Sequence, residues 1–225
     1  MDGEWPPGSL LGRLATADRS ALLGLGTVVR YQAEEQLLVE GDTGTHVLLL
    51  REGVVKITAG DQSALLAIRV RGDLIGELSA VDPSPRIATA TATGPVLANR
   101  ISSRDFRVFL AARPEASLAV SGVIGAKLRS ATRRRIDFSG HDVQSRLARV
   151  VVELIDLYGR QVKEGVEITV ALTQQELAGI IGAKEPSVHR ALAVLRRDGL
   201  IETRYRNLVV RDEKELRRIA NISVI

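Results

Sequence analysis

Residues 174–193 read QQELAGIIGAKEPSVHRALA, and the rest of the chain is organised around them. Leu177, Ile181, Val188 and Ala191 fall where two short helices can lock onto each other at a fixed angle. Ala178 is small where helices must cross closely. Gly182 stands at the turn between them, where a positive φ is cheap only for glycine. Thr173 precedes the first helix as an N-cap, with Glu176 three residues on as its partner in a capping box. Pro186 falls in the first turn of the second helix, where its missing N–H does no harm. Together these features point to a DNA-binding helix–turn–helix, with an incidental helical hairpin as the plainer alternative.

In a helix–turn–helix, the second helix enters the major groove with its N-terminal residues facing base edges. Those residues are Glu185, Ser187, His189 and Arg190. Arg190 suits a bidentate contact to guanine and Glu185 can accept from cytosine. Ser187 or Thr173, with Gln174 beside it, can hold phosphate. The plain alternatives are a surface salt bridge from Arg190 to Glu185 or Asp198, and a solvated helix face for His189. Around this core the sequence predicts a helix over Val143–Tyr158, a hairpin around Val162–Val170, a second hairpin over Leu200–Val210 and a closing helix over Glu213–Ala220. That is a winged-helix layout. Arg204 and Arg206 sit on the wing as candidate phosphate contacts, or in a solvated turn.

Upstream, helical spacing runs from Arg104 to about Ile136, and Pro114 should end one helix there and start another. In the second of these, Val120, Ile124, Leu128 and Ala131 form an apolar stripe. The stripe can pack on its own domain or pair with a second copy; its length favours the homodimer. From Val28 to about Ile101 the pattern becomes short β-prone runs (TVVRY, QLLV, HVLLL, VVKITA, ALLAIRV, IATATAT, PVLANRI) separated by glycine and proline turns. Such spacing indicates a barrel or sandwich. Residues 10–24 have helical spacing, and Gly76–Ala80 is a short helical piece.

The 225 residues carry a net charge of +4, with 45% hydrophobic and 26% charged residues, an ordinary globular composition. Residues 1–112 carry net −2, residues 113–138 net +4 and residues 139–225 net +2, so the C-terminal half is the one suited to an anionic partner. No cysteine is present, which excludes disulfides, thiolate metal sites and a cysteine nucleophile. His46, His141 and His189 lie too far apart in sequence to suggest a metal site. No apolar run has the length of a membrane span, and MDGEWPPGSL does not read as a signal peptide. The expectation is a cytoplasmic protein without a membrane partner. Ser139-Gly140-His141-Asp142 is not a catalytic triad, because adjacent side chains diverge. No GxSxG or phosphate-binding loop is present, so no enzymatic activity is expected.

A second constellation lies in IGELSAVDPSPRIATATA, residues 75–92. Gly76-Glu77-Leu78 opens a single helical turn with free amides, and Arg86 follows nine residues after Glu77. A carboxylate for hydroxyls, a guanidinium and amides together suit a cyclic sugar phosphate. Equally, Glu77 and Arg86 can simply pair with each other.

From about Leu14 to about Val210 the chain resembles the Crp–Fnr superfamily of bacterial transcription regulators. The resemblance rests on the Gly41-Asp42 and Gly53 turns, the Gly76-Glu77-Leu78 segment with its following Pro-Arg-x-Ala-Thr-Ala, the long helix, Asp142-Val143…Arg146-Leu147-Ala148, and LTQQELA…G…SVHRAL. It implies an α+β chain in three parts. Residues 1–112 would be a double-stranded β-roll of cyclic-nucleotide-binding type, 113–138 a dimerisation helix, and 139–225 a winged helix. It further implies a homodimer on palindromic double-stranded DNA, with RNA polymerase as a candidate partner and cyclic AMP or a related nucleotide as candidate effector. By resemblance Glu77 would take the ribose hydroxyl and Arg86 the phosphate. Ile87 stands where a serine or threonine is usual, and losing one hydrogen bond to a charged group costs about 1.5–3 kcal/mol. Ala131 and Thr132 stand at the two hydroxyl positions that hold the base in relatives, and only Thr132 keeps one. Glu185-Pro186 replaces the family's arginine–glutamate pair while Arg190 matches, which implies a changed operator.

Overall fold

The computed structural model describes residues 5–60, 64–168, 170, 172–204 and 207–221, and only the backbone of 137–139 and 204. Arg206 lies outside the described residues, as does the side chain of Arg204. The chain divides into two compact units, Met1–Arg129 and Ser130–Ile225.

The first unit opens with α1 (Leu10–Arg13) and α2 (Thr16–Leu23), two helices where the sequence predicts one. The backbone is extended at Leu14, and Arg19 donates to the carbonyls of Leu11 at 2.8 Å and Leu14 at 3.0 Å, satisfying acceptors that the break frees. The seven predicted runs become β1 (Thr27–Tyr31), β2 (Gln36–Leu38), β3 (Val47–Glu52), β4 (Val54–Ala59), β5 (Ala64–Val70), β7 (Thr89–Ala92) and β8 (Val96–Ile101), and between β5 and β7 lie a two-residue strand that the sequence does not predict, β6 (Leu74–Ile75), and α3 (Glu77–Val81). They form two four-stranded antiparallel sheets, in the orders β1-β8-β3-β6 and β2-β7-β4-β5. β3 shows why its sequence is continuously apolar. Leu48 and Leu50 join the core shared with Leu38, Val55 and Ala90, while Val47 and Leu49 join a second core with α1 and α2. Both faces of β3 are therefore buried.

Two helices close this second core. They are α4 (Ser103–Ala112), with Phe106 and Phe109 buried, and the first turns of α5 (Pro114–Gly140). The chain turns by 118° between them, at the proline that the sequence marks. The apolar stripe of α5 is divided, which corrects the expectation of one continuous dimer seam. Val120 is buried in the unit's own core and Ile124 packs against it, whereas Leu128 is 66% exposed and Ala131 is also exposed. Among the described residues no single helix is long and apolar enough to cross a membrane.

The second unit contains α6 (Val143–Tyr158), β9 (Gly159–Val162), β10 (Gly165–Ile168), α7 (Gln174–Ile181), α8 (Glu185–Arg197), β11 (Ile201–Arg204), β12 (Asn207–Val210) and α9 (Glu213–Ile219). Its strands pair antiparallel in the order β11-β12-β10-β9. Asp142 caps α6 by accepting from the Ser145 amide at 2.8 Å. The end of α5 is tied to α6, because Ser130 and Arg134 both donate to the carboxylate of Glu153, at 3.0 and 3.1 Å.

Candidate nucleic-acid interface and effector site

The helix–turn–helix forms as its sequence requires. The Thr173 hydroxyl accepts from the Glu176 amide at 3.1 Å, and the Glu176 carboxylate accepts from the Thr173 amide at 2.8 Å, completing the capping box. Gly182 closes α7 at φ 61°, and the Ala183 amide returns to the Ala178 carbonyl at 2.9 Å. Val188, Ala191, Leu192 and Leu195 bury one face of α8. On the other face Glu185, Pro186, His189 and Arg190 are exposed and Ser187 is half-buried. With Gln174, the first four of these line one open cleft. Arg190 donates to the Ser187 hydroxyl at 3.2 Å, and Asp198 pairs with Arg197. Thr173 is exposed and is already engaged by its own capping box.

In the first unit, Glu77 and Arg86 are brought to one place but do not satisfy each other. Arg86 is buried and donates to the carbonyls of Gly76 at 2.7 Å and His46 at 2.5 Å. Its backbone is bound too, to Gly41 and Asp42 at 2.8 Å each. Burial lowers its pKa, against the opposing pull of Glu77 and Asp42. Gly76 has φ 80°, and a Cβ there would lie 2.6 Å from the Arg86 guanidinium, so the backbone approaches as closely as glycine alone permits. Glu77, only 4% exposed, instead meets Lys127 of α5, whose ammonium donates to Glu77 Oε1 and the Leu74 carbonyl, both at 2.9 Å. Burial lowers the Lys127 pKa and raises that of neighbouring Asp73. Leu78 and Ile87 are exposed, at 40% and 66%. Thr132 is exposed on α5 and belongs to the second unit.

Three residues that matter here carry no role in the sequence reading. Lys127 lies three to seven residues after Val120, Val123 and Ile124, so helical periodicity already assigns it to the buried stripe. Arg146 stands in the quoted family segment without a function. His46 gives no sequence signal beyond its residue type.

Comparison with known proteins adds five findings. Residues 28–113 match the cyclic nucleotide-binding domain model, and residues 145–219 match the Crp-like helix-turn-helix domain model. The chain is 31% identical over 187 residues to the CRP-like cAMP-activated global transcriptional regulator of Mycobacterium tuberculosis, covering 82% of this chain and 84% of that one. In fold it is similar to a CooA mutant from Carboxydothermus hydrogenoformans, at TM-score 0.77 and 22% identity over 98% of this chain and 97% of that one. It is also similar to the c-di-GMP responsive regulator CLP of Xanthomonas campestris, at TM-score 0.75 and 20% identity, covering 88% of this chain and all of that one (100%).

Proposed function

Because the chain belongs to the Crp–Fnr family of transcription regulators, we propose that it binds a palindromic double-stranded operator as a homodimer, with α8 of each copy in a major groove about 34 Å from the other. The observation that carries this reading is the exposed polar face of α8 over a buried apolar back. Arg190, Glu185 and His189 face base edges on this reading, while Ser187, Thr173, Gln174, Arg204 and Arg206 contact phosphates. The second copy covers the exposed side of α5, where Leu118 and Leu128 are 65% and 66% exposed. Leu128 and Ala131 remain in that interface, and Val120 and Ile124 belong to the fold.

The first unit takes a cyclic-nucleotide-type effector, with cyclic AMP the leading candidate, against Gly76, Glu77, Leu78 and Arg86. Ile87 gives no hydroxyl to the phosphate. The protein acts in the cytoplasm, with RNA polymerase as a further partner, and is not an enzyme.

Selection from a randomised duplex pool, followed by a salt-titrated shift assay, tests this reading. A two-fold symmetric enriched sequence, bound by a dimer with affinity falling steeply in salt, is the expected result. Failure to enrich any sequence overturns it. Calorimetry with cyclic AMP tests the effector, and micromolar binding should disappear in Arg86→Ala.

A further inference from the structure

We propose that Arg146, on α6, is the positioning residue of the recognition helix and sets specific over non-specific DNA affinity. The inference rests on the DNA-binding reading above. Arg146 Nη1 donates to the Ile181 carbonyl at 2.8 Å and to the Gly182 carbonyl at 3.3 Å. These are the last carbonyls of α7 and its left-handed cap, where a helix carries the negative end of its dipole and has no intrahelical donors left. A guanidinium suits that place by charge and by hydrogen bonding.

Among the described residues the other side of the turn has no comparable anchor. α8 begins three residues after Gly182, and its N-cap, Lys184, makes no side-chain capping bond. Pro186 in its first turn has no N–H to contribute. The turn 182–184 is therefore fixed by the end of α7, by Arg146 and by the apolar back of α8. α6 is a firm base for this, since seven of its residues, from Leu147 to Ile155, are buried. Arg146 stands one turn into α6, four residues after its cap Asp142.

Base reading is demanding in geometry, because a recognition group must be held within about 0.5 Å of its productive position. Stability asks less of Arg146. Gly182 is exposed, so water can take the place of the guanidinium at its carbonyl, and the cost is confined to the carbonyl of Ile181, which is 5% exposed. Removing the side chain should then loosen the direction of α8 more than it destabilises the unit. The phosphate-contacting residues stay on the surface, so non-specific affinity and its salt dependence should remain.

The test uses the full-length protein, the duplex that the wild type enriches from a random pool and a duplex of unrelated sequence. In Arg146→Ala and Arg146→Met, the ratio of the two affinities is expected to fall at least tenfold. Affinity for the unrelated duplex should stay within a factor of three, with the same slope against log salt. Arg146→Lys, which keeps a cation within reach of the same carbonyls, should recover most of the ratio. Thermal melting identifies the folded variants, and Arg146→Met, which retains the bulk of the side chain, serves if Arg146→Ala does not fold. A folded variant lacking the cation but keeping the wild-type ratio within a factor of two overturns the proposal. So does a parallel loss of affinity for both duplexes. If the wild type enriches no sequence, the DNA-binding reading itself fails, and the proposal with it.

Discussion

The two units each carry one group of polar side chains, and the two groups are built in opposite ways. In the first unit Glu77, Arg86 and Lys127 are turned inward. Glu77 and Arg86 are 4% and 5% exposed, and the charged groups of all three meet carbonyls or each other within 2.9 Å. On α8, Glu185, His189 and Arg190 face solvent. Buried polar groups must be satisfied by the protein itself. A ligand entering the first site therefore exchanges its own bonds for ones already made, and its affinity is a difference between two bonded states. On α8 the competitors are water and salt. The inward group shapes the fold as well as any effector site, while the outward group is available for a partner.

The comparison breaks first at Lys127. Lys127→Met leaves the Glu77 carboxylate buried without its cation, and the first unit should lose about 2–4 kcal/mol in urea unfolding. The double variant Glu77→Gln/Lys127→Met should recover most of that loss, because the charge and its partner go together. A loss under about 0.5 kcal/mol in the single variant would make the pair equivalent to an exposed surface salt bridge. The outward group should behave in the reverse way. Arg190→Ala should unfold as the wild type does, within about 0.5 kcal/mol, yet lose about 1–3 kcal/mol of affinity for the enriched duplex, measured by shift assay. Equal losses in stability and in binding would erase the distinction.

The outward group was the more legible of the two, and the reason is physical. A helix–turn–helix is set by local signals: Thr173 with Glu176, Gly182, Pro186, and the apolar spacing of Val188 and Ala191. Each acts within a few residues of itself. The strands were equally readable, because alternation and glycine turns are local as well. The inward group depends on residues far apart in sequence. Glu77 meets Lys127 fifty residues on, and Arg86 meets His46 forty residues back. No local pattern announces such pairings, so the sequence leaves open the choice between a ligand site and a Glu77–Arg86 pair; in the structure Glu77 meets Lys127 and Arg86 meets backbone carbonyls, so the two do not simply pair with each other. The division of the α5 stripe has the same origin. Periodicity gives one face to Val120 and Leu128, but only the packing of α1, α2 and α4 decides how far along the helix that face is covered.

His46 extends the comparison to pH. Burial, with Arg100 and Arg86 adding to it, pushes its pKa from 6.5 to about 4. Between those values the unfolded chain takes a proton that the folded unit refuses. The stabilisation is complete above pH 6.5 and is lost as pH falls toward 4, on the order of 1–2 kcal/mol allowing for the ring's partial exposure. Denaturant midpoints of the first unit across this range should show the slope, and His46→Gln should flatten it.

The smallest effect is expected where the two kinds of group overlap. Thr173 is exposed and a candidate phosphate ligand, yet its hydroxyl already serves the capping box. Thr173→Ala should cost the second unit about 1 kcal/mol, and Thr173→Ser should restore it, since serine caps as well. The two roles separate in the DNA assay. If the hydroxyl also holds a phosphate, Thr173→Ala lowers affinity for every duplex by the same factor, because phosphates carry no sequence information. A residue that only caps shifts the melting transition and leaves those affinities unchanged. The second outcome would narrow the outward group to α8 itself, because a hydroxyl held by the Glu176 amide at 3.1 Å would then belong to the fold in the same sense as Arg86 does.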